Sequence, residues 1–402
     1  MSGFRAALVE GIHPSAERYL REHGYAEVVS LPASAAEREV REAIRGAHLV
    51  GIRSRTPFDA KRFGECAELL ALGCFCIGTD RVDLAAGAAR GVPVFNAPHS
   101  NTRSVAELVI GLAIMLLRDV ARKNALVHAG RWPKSATGSR EARGKTIGIV
   151  GYGHIGSQVS ILAEALGMRV LYFDVEVKLP LGNAQPCRSL DELLAGSDLV
   201  TLHVPETPLT RGMIGAPQLA RMRPGAALVN TSRGSVVDLD ALAAAVRDGR
   251  LSGAAVDVFP EEPESNEARF ESPLRALDNV ILTPHVAGST GEAQEKIGVE
   301  VAQKLHHHAS RGSTMGAVNF PELNLAEHEG AIRVLHVHRN VPGVLRQINR
   351  IVADAGLNVV GQHLQTLHET GYVVLDVEGP RPPDLAGPLR AVPGTIRARV
   401  LG

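Results

Sequence analysis

Apolar and polar residues alternate along the first hundred positions in two rhythms. "FRAALVE", "YAEVVSL" and "HLVGIRS" are short β-rich runs. Between them "PSAERYLREHG", closed by Gly24, and "AAEREVREAIRGA" space their apolar residues as helices do. "ALGCFCIG" and "VPVFNAP" extend the series. Strands separated by amphipathic helices predict parallel strands joined by helical crossovers, and hence a doubly wound α/β sheet.

From Asn101 a long helical segment is expected to run to Gly130, followed by the polar passage "KSATGSREARGK". A second alternating series begins there, with predicted strands "TIGIV", "RVLYF", "DLVTLHV", "AALVNTS", "GAAVDVF" and "NVILTP", enough for a dinucleotide-binding sheet. After Gly330 the order changes to strand, helix, strand, strand, helix, strand, in "AIRVLHVH", "PGVLRQINRIVADAG", "NVVGQHLQTLH", "GYVVLDVEG", "RPPDLAGPLRAV" and "TIRARVL". That is the ferredoxin-like order in a small module. Two Rossmann-like sheets and a ferredoxin-like tail also suit a chain of 402 residues, too long for one core.

Composition narrows the partners. Lys plus Arg and Asp plus Glu are both 43, so no global field steers the chain to nucleic acid or an anionic membrane, and small molecules or protein chains are expected instead. The most apolar run, Leu108 to Leu117, is too short to span a bilayer and reads as a buried helix. No signal peptide is read at the start, and Cys66, Cys74, Cys76 and Cys187 lack disulfide or zinc spacing, which fits a reducing cytoplasm and no metal.

In "TIGIVGYGHIG" an apolar strand runs into Gly151-x-Gly153-x-x-Gly156 with a helix behind it. The first glycine permits the bend, the second admits a pyrophosphate, and the third lets helix pack on strand. "RVLYFD" then ends in Asp174, 18 residues beyond Gly156, where a carboxylate accepts from ribose hydroxyls and repels a 2′-phosphate. The cofactor expected is NAD rather than NADP.

Three polar groups fall at later strand ends: Arg233 after "AALVNTS", Glu262 beyond "GAAVDVF" and His285 after "NVILTP". Taken singly, each reads as a surface or structural residue. Strand carboxyl ends line the ligand crevice of such a sheet, so together they are expected beside the cofactor. Arginine clamps a carboxylate, histidine moves a proton at neutral pH, and a carboxylate beside the ring favours imidazolium. This is a hydride-transfer site for a 2-hydroxy acid and its 2-keto acid, although spacing does not choose between Glu261 and Glu262.

With "GCFCIGTD", "GVPVFNAP", "SNTRSVAELVIG", "GYGHIG", "NTSRG", "DVFPEEP", "LTPHVAGST" and an ACT-like "HRNVPGVL", the whole chain resembles the D-isomer-specific 2-hydroxyacid dehydrogenases, in their serine-inhibited bacterial branch. The resemblance implies oxidation of 3-phospho-D-glycerate to 3-phosphohydroxypyruvate with NAD, the first step of L-serine synthesis. It implies Arg233, Glu262 and His285 as the catalytic set, and His154, Ile155, Thr231, Ser232 and Asp257, besides Gly151, Gly153, Gly156 and Asp174, as cofactor contacts. It further implies a discontinuous substrate domain, 1–100 with 288–330, a nucleotide domain over 101–287 and a regulatory ACT domain over 331–402, assembled as a tetramer.

"IRSRT" places Arg53, Ser54 and Arg55 at the ligand edge of the first sheet, and Asn101 stands at a helix start; the four suit a phosphate and match that end of the family site. By the same matching His338, Asn340 and Asn358 bind the L-serine effector, although Asn340 also reads as a cap for the helix starting near Pro342. Two glycine pairs of relatives stand here as Ala287-Gly288 and Glu329-Gly330, which puts hinge freedom in question. His306 to His308 read as a solvated helix end. The competing functions are reduction of another short 2-keto acid, such as 2-ketoglutarate or hydroxypyruvate, and NAD(H) sensing without catalysis.

Overall fold

In the computed structural model, residues 3–263, 268–327, 330, 332–380, 382 and 384–402 are described. The first series forms a five-stranded sheet from β1 (Arg5–Leu8), β2 (Glu27–Ser30), β3 (Leu49–Ile52), β4 (Ala71–Cys74) and β5 (Val94–Phe95), in the order β2-β1-β3-β4-β5. All its pairs are parallel. β3 and β4 are buried at every position, as strands covered on both faces must be. The strand order reverses between β1 and β3, so the loops after these two strands flank the crevice.

The second series gives β6 (Thr146–Val150), β7 (Arg169–Phe173), β8 (Gln185–Pro186), β9 (Leu199–Leu202), β10 (Ala226–Asn230), β11 (Leu251–Val256) and β12 (Val280–Leu282), ordered β12-β11-β10-β9-β6-β7-β8 and parallel throughout. The reversal here lies between β6 and β9. The two-residue edge strand β8 was not expected, because its proline obscures it and edge positions tolerate proline. The helical segment after Asn101 is two helices, Thr102–Arg118 and Val120–His128, rather than one. Asp119 breaks it with φ 53, and its carboxylate takes the Arg122 guanidinium. Short polar side chains enter that left-handed region more readily than most. The apolar run inside the first helix buries Val109, Leu112, Ala113 and Leu117, and among the described residues no helix is long and apolar enough to cross a membrane.

The tail forms an antiparallel sheet of β13 (Ile332–Arg339), β14 (Asn358–Leu367), β15 (Thr370–Glu378) and β16 (Thr395–Leu401), ordered β14-β15-β13-β16. The helix Val344–Asp354 packs Val344, Ile348 and Val352 against Val334, Val373 and Val377 of this sheet. The helix expected over 381–392 is short, Ala386–Arg390, where the Asp384 carboxylate accepts the Gly387 N–H. The fold is therefore two Rossmann-like sheets plus a ferredoxin-like module, as the alternation predicted, and that module is the one the resemblance identifies as an ACT domain.

By internal contact the chain divides into Met1–Ser100 with Gln294–Gly402, and Asn101–Ala293. The ACT module thus shares a unit with the first sheet. Tyr372 donates its hydroxyl to Gly312 O at 2.7 Å and Arg399 donates to Ala309 O at 2.8 Å, satisfying carbonyls at the end of the helix Gly291–Arg311. His306 to His308 correct the expectation of a solvated end. His308 is 5% exposed, with burial pushing its pKa down to about 3, and the His306 ring stands 5.9 Å from Tyr25 and 4.6 Å from His23. One helical face there is core, and three adjacent polar letters concealed it.

Candidate active site

β6 feeds the chain into the glycine loop at the reversal between β6 and β9. Gly151 has φ +89, and a Cβ there would lie 2.5 Å from His203 O; a Cβ on Gly156 would lie 2.2 Å from Gly151 O. Neither position accepts a side chain without moving backbone. Gly153 differs: its Cβ would meet nothing within 4 Å, and it is the N-cap of the helix His154–Ala165 with no side-chain cap bond. First-turn N–H groups that face open space above a glycine are a seat for a pyrophosphate. His154 is exposed and Ile155 half-buried at this helix start.

At the end of β7, Asp174 accepts the Tyr152 N–H at 2.7 Å and the Glu176 N–H at 3.0 Å. Two backbone donors orient the carboxylate and leave further lone pairs for ribose hydroxyls. Thr231, 7% exposed, has a buried hydroxyl without a partner among the described residues. The open glycine, the oriented acid and this unsatisfied hydroxyl fit NAD.

Arg233, Glu262 and His285 lie in one unit, and two of them touch. His285 Nδ1 is 2.8 Å from Glu262 Oε2 and 2.9 Å from Oε1. The pair is part-exposed, 51% for His285 and 39% for Glu262, so the ring is reachable. The hydrogen bond to Glu262 raises the His285 pKa, against burial, with further support from the charges of Glu262 and Asp257. Burial pushes the Glu262 carboxyl up, but the His285 hydrogen bond and charge, the Phe259 N–H and the Arg233 charge together hold it below its ordinary value. The acid is therefore ionised when the imidazole is protonated. Arg233 is close enough to act on both groups, and its Nη1 donates to Ser232 O at 2.7 Å.

His285 has φ 54, a left-handed conformation that costs a non-glycine residue about 1–3 kcal/mol. Asp257 holds it there. The Asp257 carboxylate accepts the Thr283 hydroxyl at 2.5 Å, the Val286 N–H at 2.9 Å and the Ala287 N–H at 2.9 Å, and its backbone carbonyl accepts the His285 N–H at 2.8 Å. Expected as a cofactor contact, Asp257 is 0% exposed and engaged by the histidine turn. Ala287, where the resemblance led to glycine being expected, is buried and does not have positive φ, so alanine fits its backbone. A Cβ on its companion Gly288 would stand 2.2 Å from the Asn101 Nδ2, so a larger residue there would displace the Asn101 side chain. Asn101 is the N-cap residue of its helix without a cap bond, and its Oδ1 has no partner among the described residues.

Sequence reasoning missed two residues of this machinery. Asn230 was visible only as a letter of "NTSRG"; it is 0% exposed and its side chain closes the turn carrying Arg233. In the other unit Glu10, 8% exposed with φ 68, accepts the Thr56 N–H at 2.8 Å and the Arg55 N–H at 3.0 Å. It thereby shapes the loop of Arg53, Ser54 and Arg55, at the reversal between β1 and β3. An isolated glutamate ending a strand in "LVEGIH" was the available signal.

In the ACT module His338 is 3% exposed, its ring packed on β15 where a Gly371 Cβ would lie 2.4 Å from Nε2. Asn340 and Asn358 are exposed. The capping alternative for Asn340 falls: the helix begins after Gly343 at φ 92, with no side-chain cap bond. Of the pair Glu329-Gly330, Glu329 lies outside the described residues.

Residues 110–287 match the family described as D-isomer specific 2-hydroxyacid dehydrogenase, NAD binding domain, and residues 334–397 match the AHAS small subunit-like ACT domain. The chain is 54% identical to D-3-phosphoglycerate dehydrogenase of Haemophilus influenzae over 400 residues, covering 100% of this chain and 98% of that one. It is 53% identical to D-3-phosphoglycerate dehydrogenase of Escherichia coli K12 over 398 residues, covering 98% and 96%. Among solved structures it resembles D-lactate dehydrogenase of Aquifex aeolicus complexed with NAD and lactic acid, with TM-score 0.64, 28% identity, and 75% and 95% of the two chains covered. It also resembles the NAD-complexed D-isomer specific 2-hydroxyacid dehydrogenase of Lactobacillus delbrueckii ssp. bulgaricus, with TM-score 0.67, 25% identity, and 78% and 100% covered.

Proposed function

The chain belongs to the D-isomer-specific 2-hydroxyacid dehydrogenase family, and from that premise we propose that it oxidises 3-phospho-D-glycerate to 3-phosphohydroxypyruvate with NAD, the first step of L-serine synthesis, under feedback inhibition by L-serine. The observation that carries the reading is the His285–Glu262 pair, 2.8 Å apart at a strand end, with the Arg233 charge beside it. NAD, when bound, takes the C2 hydride of the hydroxy acid. Gly151, Gly153, His154, Ile155, Gly156, Asp174, Thr231, Ser232 and Asp257 are assigned to its site.

Arg233 holds the substrate carboxylate and polarises the C2 oxygen. His285 has Nδ1 committed to Glu262, which leaves Nε2 to take the hydroxyl proton during oxidation and to return it during reduction. The raised pKa keeps the ring protonated further up the pH scale. Reduction, which needs imidazolium, falls as pH rises through that value, and oxidation, which needs neutral imidazole, gains.

Arg53, Ser54 and Arg55 take the phosphate, with Asn101 as a further donor; His338, Asn340 and Asn358 take L-serine. Residues 1–100 with 288–330 serve the substrate, 101–287 NAD and 331–402 regulation. A homotetramer is supported by two exposed features. The edge strand β14 presents Val359 and Val360 at 38% and 51% exposure, and Trp132 is 80% exposed. A reducing cytoplasm suits the four dispersed cysteines.

The test follows NADH oxidation with 3-phosphohydroxypyruvate, hydroxypyruvate and 2-ketoglutarate, with and without L-serine, in the parent and in Arg53→Ala. The reading expects preference for the phosphorylated substrate, loss of that preference in the variant, and inhibition by serine. Equal turnover of an unphosphorylated substrate in both proteins overturns the substrate assignment, and indifference to serine overturns the effector assignment.

A further inference from the structure

Asn230 is the last residue of β10, three positions before Arg233. Its amide makes three hydrogen bonds inside one four-residue arc. Nδ2 donates to Arg233 O at 3.0 Å, while Oδ1 accepts the Ser232 N–H at 3.0 Å and the Ser232 hydroxyl at 2.8 Å. Asn230 is 0% exposed, Thr231 7% and Ser232 6%, so water does not compete for these groups. Only a side chain carrying a donor and an acceptor closes such an arc at both ends.

We propose that Asn230 is a positioning residue for the reaction, fixing the backbone of residues 232 and 233 so that the Arg233 guanidinium is aimed at the carboxylate of the 2-keto acid. The inference rests on the role given to Arg233 above. Among the described residues the other bonds at the arginine hold its aim weakly: the residue is extended, at φ −141 and ψ 143, its carbonyl also accepts the Val236 N–H at a longer 3.3 Å, and its Nη1 bonds the carbonyl of its own neighbour, Ser232. Its aim is therefore inherited from the turn. A tilt of about 10° at the Cα moves the end of so long a side chain by about 1 Å, enough to cost a large factor in rate. On the far side the turn is blocked, since a Cβ on Gly234 would lie 2.0 Å from the Phe259 carbonyl carbon. A loosened turn therefore moves away from the segment that carries Glu262.

Among the described residues, the hydrogen bonds from Asn230 to the histidine arm run through its main chain. Its carbonyl accepts the Asp257 N–H at 3.0 Å, and the Asp257 carbonyl accepts the His285 N–H. A side-chain substitution leaves that ladder in place. The arginine arm is thereby separable from the proton-transfer arm, which a general loss of structure would not achieve.

The experiment uses the full-length enzyme with Asn230→Asp, which keeps the acceptors and loses the donor, and Asn230→Ser, which keeps one short acceptor. Each is made alone and with Arg233→Lys. KM and kcat are measured for 3-phosphohydroxypyruvate, NADH affinity by fluorescence, and the pH profile of reduction. We expect KM to rise about tenfold or more in both single variants with kcat reduced, while the alkaline limb of the profile stays as in the parent and NADH affinity, to which this turn contributes through Thr231 and Ser232, falls by a smaller factor than KM rises. Combined with Arg233→Lys, the Asn230 substitution should cost much less than it does alone, because the aim is already lost. The proposal is overturned if KM is unchanged in both variants, if the losses multiply independently, or if only the titrated fraction of active sites falls. Should the parent not reduce the phosphorylated substrate, the substrate assignment has failed instead, and the same ratios are read with whichever 2-keto acid it does reduce.

Discussion

Replacing Asp257 by Asn tests how the catalytic histidine is held. The carboxylate is fully buried and accepts three hydrogen bonds from the turn 283–287, two of them from backbone N–H groups. An amide of the same size has one acceptor oxygen. If that oxygen keeps Thr283 and Val286, the new NH2 faces the Ala287 N–H, and Ala287 is 4% exposed. A buried donor left unsatisfied costs about 1–3 kcal/mol, and fewer bonds then offset the left-handed strain at His285. If that cost is met by opening the turn, kcat/KM falls about 5- to 150-fold. The lost charge also removes one contribution that raises the His285 pKa, although the larger one, the Glu262 hydrogen bond, remains. The alkaline limb of reduction therefore moves toward lower pH. Steady-state reduction of 3-phosphohydroxypyruvate across pH reads both effects. Turnover within twofold of the parent, with the limb unmoved, would refute the reasoning.

Other substitutions probe separate parts of the account. Gly153→Ala adds a Cβ to open space, so thermal stability should hold while NADH binds more weakly; Gly156→Ala places one 2.2 Å from Gly151 O and should lower the melting temperature of the whole protein. For Glu262→Gln, the alkaline limb of reduction should shift to lower pH, since the main cause of the raised His285 pKa is gone. In the parent, the stability given by this pair is present above the ordinary carboxylate range and lost as pH falls through the lowered Glu262 value. It is lost again as pH rises through the raised His285 value, and thermal melts across pH in parent and variant check both edges. Glu10→Ala removes the acceptor for the Arg55 and Thr56 N–H groups, and KM should rise more for 3-phosphohydroxypyruvate than for hydroxypyruvate. Equal changes for the two substrates would mean that the loop does not read the phosphate.

What the sequence disclosed follows from periodicity. "TIGIV" became β6 with unchanged bounds, because a buried parallel strand writes its burial as a continuous apolar run; "RVLYF" became β7 with unchanged bounds although its burial alternates along the strand. Glycine spacing with strand, helix and acid likewise located the loop at Gly151. Side-chain networks left weaker marks. Asn230 and Glu10 act by bonding backbone N–H and C=O groups of a neighbouring turn, and such groups have no letter of their own. Asp257 reads as another acid until its three partners are seen. The split at Asp119 went unread because a left-handed backbone leaves no mark beyond one short polar letter, and the buried His308 because the average preference of His for polar surroundings was overridden by local packing.

The central claim is that His285 moves the proton while Arg233 and Glu262 serve it. It is tested most directly by NADH oxidation with 3-phosphohydroxypyruvate in His285→Ala, with NADH affinity measured on the same protein. The account predicts turnover lower by about 10²–10⁴-fold with NADH affinity retained. Full turnover in that variant would contradict it.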